Sequence, residues 1–572
     1  MNVLTRPRAA TAVLATAALA AGLAAVVPPS QAAPRNLQTV QLLSFNDFHG
    51  HLEANDPNLS RTLDPSQTPS GGAEYLAAHL QRLRDASTAD ASFTVAAGDL
   101  IGGSPFLSGA FHDEPAVESL NALGLDVSGV GNHEFDEGTE ELLRMQEGGC
   151  HPVDGCYFED APYAGADFQW LAANVRKRGT DETLLPGTSI KDVDGTKVGF
   201  IGMTLEATDT LVNPAGVASV RFLDEVLTAN REARKLKAQG VQTIVVLLHE
   251  GGLQTGTYQQ CTGISGAVVG IAEQLNPEID AVITGHTHQP YVCNIPDPRG
   301  KPRLVTSAAS FGQVVTETNL VINKNTGEVL REQSTATNHL VARATVSPDP
   351  AQTAIIAKWQ GLAGPVGSQV VGQATADIGG DGVTGPACRC EETAMGNLMA
   401  DAILWGTSAP ADGGAQLALI NIGGIRAPLA AGDITYAEAY AVQPFGNVLV
   451  TLDLTGAQLD TVLEQQYQPV SARGSRPTLA LGTSAGFSYT WDATQPQGSR
   501  ASGLTLNGTP VDPAATYRVG TLNFLAAGGD LFTEFTNGTN LLGAEEDVTN
   551  LVEYLGANSP VSPPATDRVN GL

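Results

Sequence analysis

Five clusters of polar residues carry side chains that bind metal ions, and each cluster directly follows a short apolar run. They are 47–49 (Asp-Phe-His), 98–99 (Gly-Asp), 131–136 (Gly-Asn-His-Glu-Phe-Asp), 249–250 (His-Glu) and 285–288 (Gly-His-Thr-His). The chain has 10 histidines, and half of them lie in these clusters. Each cluster alone is typical of an ordinary polar loop. Together they offer carboxylate, amide and imidazole ligands, which suit zinc, manganese, iron or cobalt rather than a thiolate-rich structural site.

The apolar runs before the clusters are typical of buried β-strands, because they are short and are bounded by glycine or polar residues. They occupy residues 39–45, 92–97, 125–130, 243–248 and 280–284. Helix-like segments lie between them, as in 71–84, where Leu76, Leu80 and Leu83 recur at helical spacing. Strands that alternate with helices predict an α/β domain, and the strand ends of such a domain meet at one crevice. The sequence therefore predicts that the five clusters come together.

The composition limits what this crevice can bind. The chain has 572 residues, of which 42% are hydrophobic and 16% are charged, so it is long enough for at least two folded domains. Its net charge of −29 argues against non-specific binding to nucleic acid polymers and repels other anions as well. Phosphate chemistry in such a protein needs local positive charge. Two metal ions about 3.5–4 Å apart would supply that charge and could also activate a water molecule.

Residues 1–32 have the pattern of a secretory signal peptide. Arg6 and Arg8 precede an uncharged run, rich in alanine and leucine, from residue 9 to residue 27, and the small residues that follow favour cleavage after Ala32 or Ala33. An uncleaved N-terminal anchor is the alternative. No other apolar stretch has the length of a membrane span, so we expect a secreted or extracellular protein, with loose attachment to the cell envelope left open.

The six cysteines fit an oxidising compartment. Proximity in the sequence suggests three disulfides, although six cysteines allow 15 connectivities. The suggested pairs are Cys150 with Cys156, Cys261 with Cys293, and Cys388 with Cys390. Zinc binding by Cys150, His151 and Cys156 is an alternative for the first pair, but no fourth ligand lies nearby in the sequence.

A second region of mixed helices and strands follows a helix-like segment at 351–364. It contains a predicted helix at 391–404, whose core side carries Met395, Leu398, Met399 and Ile403. Its polar clusters, each rich in glycine, asparagine or arginine, lie at 388–389, 421–426, 443–447 and 523–530.

The five N-terminal clusters together carry a family resemblance. The motifs DFH, GD, GNHEFD, a strand-terminal histidine and GHTH, in this order, resemble the calcineurin-like metallophosphoesterase superfamily. Within it, the chain is similar to the secreted 5′-nucleotidases. The resemblance implies a signal peptide (1–32), an α/β, four-layer αββα metallophosphoesterase domain (37–345), a linker helix or hinge (346–370), a second, mixed α/β substrate-binding domain (371–545) and a C-terminal tail (546–572).

The same resemblance implies two divalent metal ions, such as zinc or manganese, and a ligand set for each. The ligands would be Asp47, His49 and His288 on one ion, Asn132, His249 and His286 on the other, and Asp99 as a bridge between both. The family often has glutamine in place of His288, a departure that affects the preferred ion. His133 would be a catalytic histidine near the scissile phosphate, with Asp136 as its partner.

The second region would bind the substrate. By resemblance, its contact residues are Arg389 and Arg426 for the phosphate or ribose, Phe445 and Phe524 on the two faces of the base, Asn421 and Asp530 for hydrogen bonds to the base or ribose, and Gly424. A guanidinium suits phosphate oxygens, and an aromatic ring stacks on any base. The chain departs from the family at Ile422, where glycine is common, and at Glu391, where some members have a further arginine.

The function implied is hydrolysis of nucleoside 5′-monophosphates to nucleoside and phosphate, by in-line attack of a metal-bound hydroxide. Rotation of the second domain would exchange substrate and product. Alternatives on the same scaffold are a 2′,3′-cyclic-nucleotide phosphodiesterase or 3′-nucleotidase, a nucleotide-sugar pyrophosphatase and a general phosphomonoesterase. A surface nucleotide-binding protein without activity is the alternative from another class. The sequence leaves open the resident metals, the preferred base and whether the chain is a monomer or a homodimer.

Overall fold

The structure is a computed structural model, and it describes most of the chain beyond the N-terminus. The described residues are 36–56, 59, 63, 64, 66, 68–212, 216–379, 389–473 and 476–572. The expected signal peptide and Cys388 lie outside them.

The first part of the described chain forms two six-stranded sheets and one two-stranded pair. The strands are β1 (Leu37–Phe45), β2 (Ala91–Ala97), β3 (Val127–Gly129), β4 (Gln169–Leu171), β5 (Val175–Lys177), β6 (Thr188–Val193), β7 (Thr196–Thr204), β8 (Val220–Phe222), β9 (Thr243–His249), β10 (Ala281–Thr284), β11 (Tyr291–Asn294), β12 (Leu304–Ser307), β13 (Val314–Asn323) and β14 (Thr335–Leu340). The five strands predicted from the apolar runs are β1, β2, β3, β9 and β10, and all five are confirmed.

The two large sheets have parallel centres and antiparallel edges. The first has the order β14-β13-β1-β2-β3-β4, and β1 to β4 are parallel. The second has the order β11-β12-β10-β9-β7-β6, in which β7, β9, β10 and β12 are parallel. The sheets pack face to face, since Val40 and Val95 of the first share one buried cluster with Val245 and Ala281 of the second. Burial on both faces explains why these strands are almost entirely apolar.

Helices cover the outer face of each sheet. They are α1 (Ala73–Ala86), α2 (Phe106–Gly109), α3 (Glu114–Leu123), α4 (Gly138–Glu147), α5 (Glu225–Ala238), α6 (Ala267–Gln274) and α7 (Pro350–Gly367). Leu76, Leu80 and Leu83 of α1 are buried against the first sheet, as their spacing predicts. Ala233 of α5 and Val268 of α6 pack in a separate cluster on the second sheet. The layers are therefore helix, sheet, sheet, helix, which confirms the predicted αββα fold.

The connecting helix α7 belongs to the outer helical layer of this domain. The Asp349 side chain caps it by accepting from the backbone N–H groups of Ala351 and Gln352, at 2.9 and 3.1 Å. Trp359, in the middle of α7, is buried in the same core cluster as α1 and α3. Helix α7 is therefore packed as part of the first domain, and its role as a hinge stays a prediction.

The second domain is also mixed α/β within the described residues. Its strands are β15 (Val370–Ala374), β16 (Leu417–Asn421), β17 (Gly432–Thr435), β18 (Val448–Thr455), β19 (Leu481–Thr483), β20 (Phe487–Trp491), β21 (Ala501–Leu506), β22 (Thr509–Pro510), β23 (Thr516–Leu522), β24 (Thr539–Glu546) and β25 (Val569–Asn570). Its helices are α8 (Ala394–Thr407), α9 (Tyr436–Val442), α10 (Gly456–Glu464), α11 (Val470–Arg473), α12 (Asn523–Ala526) and α13 (Asp547–Asn558). A five-stranded sheet, β19-β16-β23-β18-β24, forms its centre.

Helix α8 packs against this central sheet. Four residues on the core side of α8, namely Met395, Leu398, Met399 and Ile403, are all buried, as predicted.

The C-terminal segment is folded, which corrects the prediction of a tail over residues 546–572. It contains α13 and β25. Leu551 and Leu555 of α13 lie in the same core cluster as α8, and β25 pairs with β20. Small and polar residues around these two leucines weaken the periodic signal of α13, so the sequence did not predict the packing.

Two of the three suggested disulfides lie within the described residues. Cys150 is bonded to Cys156, and Cys261 is bonded to Cys293. Cys390 is disulfide-bonded, and its suggested pairing with Cys388 stays a prediction. Among the described residues, no helix combines the length and the apolar character needed to cross a bilayer.

Candidate active site

The five polar clusters do meet at one edge of the two stacked sheets. Backbone hydrogen bonds join the first two loops, from Asp47 N–H to the Gly98 carbonyl at 3.0 Å and from His49 N–H to the Asp99 carbonyl at 3.1 Å. Five of the seven predicted ligands have a left-handed backbone: Asp47, His49, Asp99, His286 and His288, with φ between 47° and 70°. Such strain in residues other than glycine is concentrated at functional sites, where the surrounding structure enforces it.

The side chains form two adjacent donor groups. In the first, ligand atoms of Asp47, His49 and His288 all lie within 4.8 Å of one another, and His288 Nε2 is 3.2 Å from Asp47 Oδ1. These three are the residues predicted for one ion.

The second group contains Asp99, His249 and His286, again within 4.8 Å of one another. Asn132 joins them, because its Oδ1 lies 3.0 Å from His286 Nδ1. One oxygen of Asp99, Oδ2, is 2.9 Å from His249 Nε2 and 3.6 Å from His49 Nε2. Asp99 therefore lies between the two groups, where a bridging ligand has to be.

The histidine hydrogen bonds test whether these groups fit metal ions. His49 Nδ1 faces the Gly102 carbonyl and His249 Nδ1 faces the Ala97 carbonyl, both at 2.7 Å, so each Nδ1 carries the proton. The Nε2 atoms are buried and both face Asp99 Oδ2, the predicted bridging ligand, at 3.6 Å from His49 and 2.9 Å from His249. A carbonyl that fixes the tautomer while the other ring nitrogen stays free is typical of metal-binding histidine. The donor set fits two divalent ions.

The electrostatics of the site agree with this fit. Burial lowers the pKa of His49 and of His286 well below the usual range, so both rings are neutral and can ligate. Burial acts in the same direction on His249, but the carboxylates of Asp99 and Asp47 outweigh it and raise its pKa to about 10. These carboxylates favour positive charge at His249, which a divalent ion held by the predicted ligands would supply.

The Glu134 side chain joins the loop that carries Asp99 to the loop that carries Asn132. Sequence reasoning did not identify it as a site residue. Its buried carboxylate accepts from the backbone N–H of Asp99 at 2.9 Å and of Leu100 at 2.8 Å, and also from that of Gly131. Burial and the Asp99 charge raise the pKa of Glu134 to about 7. The GNHEFD motif contains this residue, but only the fold shows that it ties two ligand-bearing loops together.

The predicted catalytic pair is formed. His133 Nδ1 lies 2.8 Å from Asp136 Oδ2, and the His133 backbone N–H donates to Asp99 Oδ1 at 2.8 Å. His133 is also close enough to His49 and Asp99 to form a third possible donor group. Its Nδ1 is already engaged by Asp136, which leaves Nε2 for contact with a substrate.

A pocket between the two domains contains almost all the predicted residues. Asp47, His49 and His249 lie behind its wall, and the others line it. The lining residues from the first domain are Asp99, Asn132, His133, Asp136, His286 and His288, and those from the second are Arg389, Asn421, Gly424, Arg426, Phe445, Phe524 and Asp530.

On the wall formed by the second domain, polar and aromatic groups alternate. Asn421 Nδ2 donates to Asp530 Oδ2 at 2.9 Å, so these two side chains form one polar unit. The Phe445 ring lies 5.7 Å from the Arg426 guanidinium carbon and stacks on His133 with the ring centroids 5.6 Å apart. The pocket can therefore hold a polar, aromatic molecule next to the two metal-binding groups.

Comparisons with known families and proteins agree with this arrangement. A family model described as calcineurin-like phosphoesterase matches residues 41–290, and one described as 5′-nucleotidase, C-terminal domain, matches residues 370–537. Cell wall protein Lmo0130 of Listeria monocytogenes is 33% identical, over 95% of this chain and 70% of its own length. The chain belongs to the calcineurin-like phosphoesterases that carry a 5′-nucleotidase C-terminal domain. Members of this family are hydrolases, and their fold implies divalent metal ions.

Two further proteins show how varied the relatives are. Endonuclease YhcR of Bacillus subtilis is 33% identical over 92% of this chain, which spans only 40% of that endonuclease. The crystal structure of a 5′-nucleotidase precursor from Thermus thermophilus superimposes with a TM-score of 0.77 at 27% identity, over 93% of this chain and 99% of that one.

The two departures from the family lie away from the pocket. Ile422 is buried, and its side chain is directed towards Gly396 of α8, whereas Gly423 and Gly424 line the pocket. The Ile422 side chain therefore does not restrict the approach of a ligand in the pocket to the backbone of Gly423 and Gly424. Glu391 is exposed and is not a lining residue.

Three charged lining residues were missed by sequence reasoning: Glu250, Arg473 and Arg476. Arg473 donates to the carbonyls of Gln466, Gln465 and Asp530. The two arginines belong to a polar segment without a motif, so nothing in the local sequence distinguishes them from solvated residues.

Proposed function

We propose that this protein hydrolyses nucleoside 5′-monophosphates to a nucleoside and inorganic phosphate. The observation that carries the proposal is the composition of the pocket between the domains. One wall has four of the predicted metal ligands together with His133, and the opposite wall has Phe445, Phe524 and the Asn421–Asp530 pair. A phosphoryl group on a nucleoside is the kind of ligand that meets both walls at once.

The two ions, when bound, would polarise the phosphoryl oxygens and lower the pKa of a water molecule. The residues of the chain position the substrate and move the proton. Asp136 holds Nδ1 of His133, so Nε2 of His133 faces the pocket and can give a proton to the 5′-oxygen that leaves. Arg426 and Arg389 neutralise the phosphoryl charge, which this acidic protein otherwise repels.

The nucleoside would be held by stacking and by hydrogen bonds. Phe445 and Phe524 offer aromatic faces to the base, and such stacking tolerates different bases. Asp530 accepts from Asn421 through Oδ2, and no donor among the described residues is bonded to its Oδ1, so Oδ1 can accept from a ribose hydroxyl. This wall favours nucleotides over simple phosphate esters.

The decisive experiment compares substrates on the purified full chain supplied with Zn²⁺ or Mn²⁺. We expect AMP to be hydrolysed with a higher kcat/KM than 2′,3′-cyclic AMP, a UDP-sugar, a simple aryl phosphate or single-stranded DNA. Asp99→Asn should abolish hydrolysis of all of them, whereas Asp154→Asn, a surface carboxylate, should not. No hydrolysis of AMP, or a clear preference for a cyclic ester, would overturn the proposal.

We also propose that the protein is exported. The pattern of residues 1–32 supports this, as does the similarity to a cell wall protein. The full chain and a chain that lacks residues 2–32 should be expressed in a Gram-positive host. Phosphohydrolase activity outside the cells is expected from the full chain alone, and equal partition of the two chains would refute export.

A further inference from the structure

Arg476 lines the pocket between the domains and lacks the partners that fix its neighbour. Its Nε is buried and has no hydrogen-bond partner among the described residues. The Nε of Arg473, three residues earlier, is likewise buried and without a partner among the described residues, but its terminal NH groups donate to three carbonyl groups and its guanidinium lies over the Phe532 ring at 5.2 Å. No such contact holds the Arg476 guanidinium among the described residues. Arg473 is therefore held by the protein, whereas Arg476 is left for something that enters the pocket.

The charges around Arg476 show which part of the pocket it faces. Besides burial, the groups that act on it most are Arg389 and Arg426, followed by Asp47 and Glu250. It also acts on His286 and His288. Arg426 instead lies near Asp136 and Asp99. Both guanidiniums therefore interact with the charges of the metal-binding groups, and Asp47 acts on both.

Three neighbouring guanidiniums on one wall repel one another. Burial, and then the neighbouring arginine charges, lower the pKa of Arg426 to about 10 and that of Arg476 to about 9. Buried carboxylates, Asp136 beside Arg426 and Glu250 beside Arg476, offset part of this repulsion, and an anion that binds among the guanidiniums would offset more of it. An anion with a higher charge would offset more of the repulsion than a singly charged one.

We propose that Arg476 binds a terminal phosphoryl oxygen and makes the enzyme selective for phosphomonoesters over phosphodiesters. The inference rests on the proposed function and deepens it. A phosphomonoester carries a charge of about −1.5 to −2 near pH 7 and has three terminal oxygens. A phosphodiester has one negative charge and two terminal oxygens, so it offers a third guanidinium less charge and one oxygen fewer. Charge-assisted hydrogen bonds to such oxygens are the strong ones.

The test compares Arg476→Gln with wild type on AMP and on 2′,3′-cyclic AMP, with metal content measured for each protein. For AMP we expect kcat/KM to fall about 10- to 100-fold, and for the cyclic diester we expect a change of less than about threefold. Arg476→Lys, which keeps the charge, should recover part of the loss on AMP. Arg299→Gln, the same substitution at a side chain that is 62% exposed, serves as the matched control and should behave like wild type.

Competitive inhibition by adenosine shows that the pocket of the variant is intact, because adenosine has no phosphoryl group. Its inhibition constant should be the same for wild type and for Arg476→Gln. Equal losses on the monoester and the diester, or no loss on either, would overturn the role of Arg476. A wild-type enzyme that fails to hydrolyse AMP would instead overturn the proposed function, so the two failures are distinguishable.

Discussion

The ring of Phe445 stacks on the ring of His133 across the boundary between the two domains, with the ring centroids 5.6 Å apart and the planes inclined by 19°. Phe445 belongs to the proposed nucleoside-binding wall, and His133 belongs to the proposed catalytic pair. In the proposed function, a nucleoside that stacks on Phe445 would be held within reach of the His133 imidazole. The contact would then join recognition of the base to the position of the reacting phosphoryl group.

Loss of the aromatic faces should affect nucleotides and spare simple esters. Phe445→Ala combined with Phe524→Ala should reduce kcat/KM for AMP by about 5- to 150-fold, because base stacking on an aromatic ring is worth roughly 1–3 kcal/mol. Hydrolysis of an aryl phosphate should change little. Phe445→Tyr keeps the ring and serves as the control. Equal losses on both substrates would instead indicate a structural role for the two rings.

His133 should be needed for catalysis and not for metal binding. We expect His133→Ala to lower kcat for AMP by about 10²- to 10⁴-fold, the contribution typical of a general acid, while metal analysis still finds two ions per chain. His339→Ala, at a half-buried histidine paired with Glu317, is the control. Loss of one ion from His133→Ala would show that His133 is a metal ligand. The geometry allows this role, because His133 lies close to His49 and Asp99.

Glu134 should act on the metals through the backbone that it holds. Glu134→Gln replaces an acceptor of three N–H groups with an amide, so the loops that carry Asp99 and Asn132 lose part of their support. We expect the affinity for the ions to fall about 10- to 100-fold, measured by competition with a chelator. Glu140→Gln, at an exposed glutamate of α4, should leave the affinity unchanged. An unaltered affinity in Glu134→Gln would contradict this role.

The metal-binding loops could be predicted from the sequence because their signal is local. Each ligand follows a strand within a few residues, and parallel strands end at the same edge of a sheet. This reasoning brings Asp47 and His288 to one crevice although they lie far apart in the chain, and the family resemblance adds that they share one ion. The same reasoning placed β1, β2, β3, β9 and β10 correctly.

The residues that sequence reasoning missed depend on contacts without a local pattern. Arg476 differs from Arg473 only in its surroundings, and those come from distant segments of both domains. The packing of Leu551 and Leu555 likewise requires α8, about 150 residues earlier in the chain. Motifs identify chemistry near strand ends, whereas long-range packing and unsatisfied charge become visible only in the folded chain.

The pH dependence of stability should reveal the contribution of two ion pairs that His112 forms near the surface of the first domain. His112 Nδ1 lies 2.7 Å from Glu137 Oε2, and His112 Nε2 lies 2.7 Å from Asp154 Oδ2. Both ring nitrogens therefore donate, which requires the imidazolium form. Partial burial lowers the pKa of His112, but the two carboxylates outweigh this effect and raise it to about 9.

The sign of the effect follows from the raised pKa. In the unfolded chain the pKa of a histidine is about 6.5, so the stabilisation by His112 is complete below that pH and is lost as the pH rises from about 6.5 through about 9. His112→Gln should therefore lower the Tm at pH 6 and have little effect at pH 10, as measured by calorimetry. A Tm difference between wild type and variant that is the same at both pH values would mean that His112 stabilises the loop closed by the Cys150–Cys156 disulfide through packing on His151, and not through its charge.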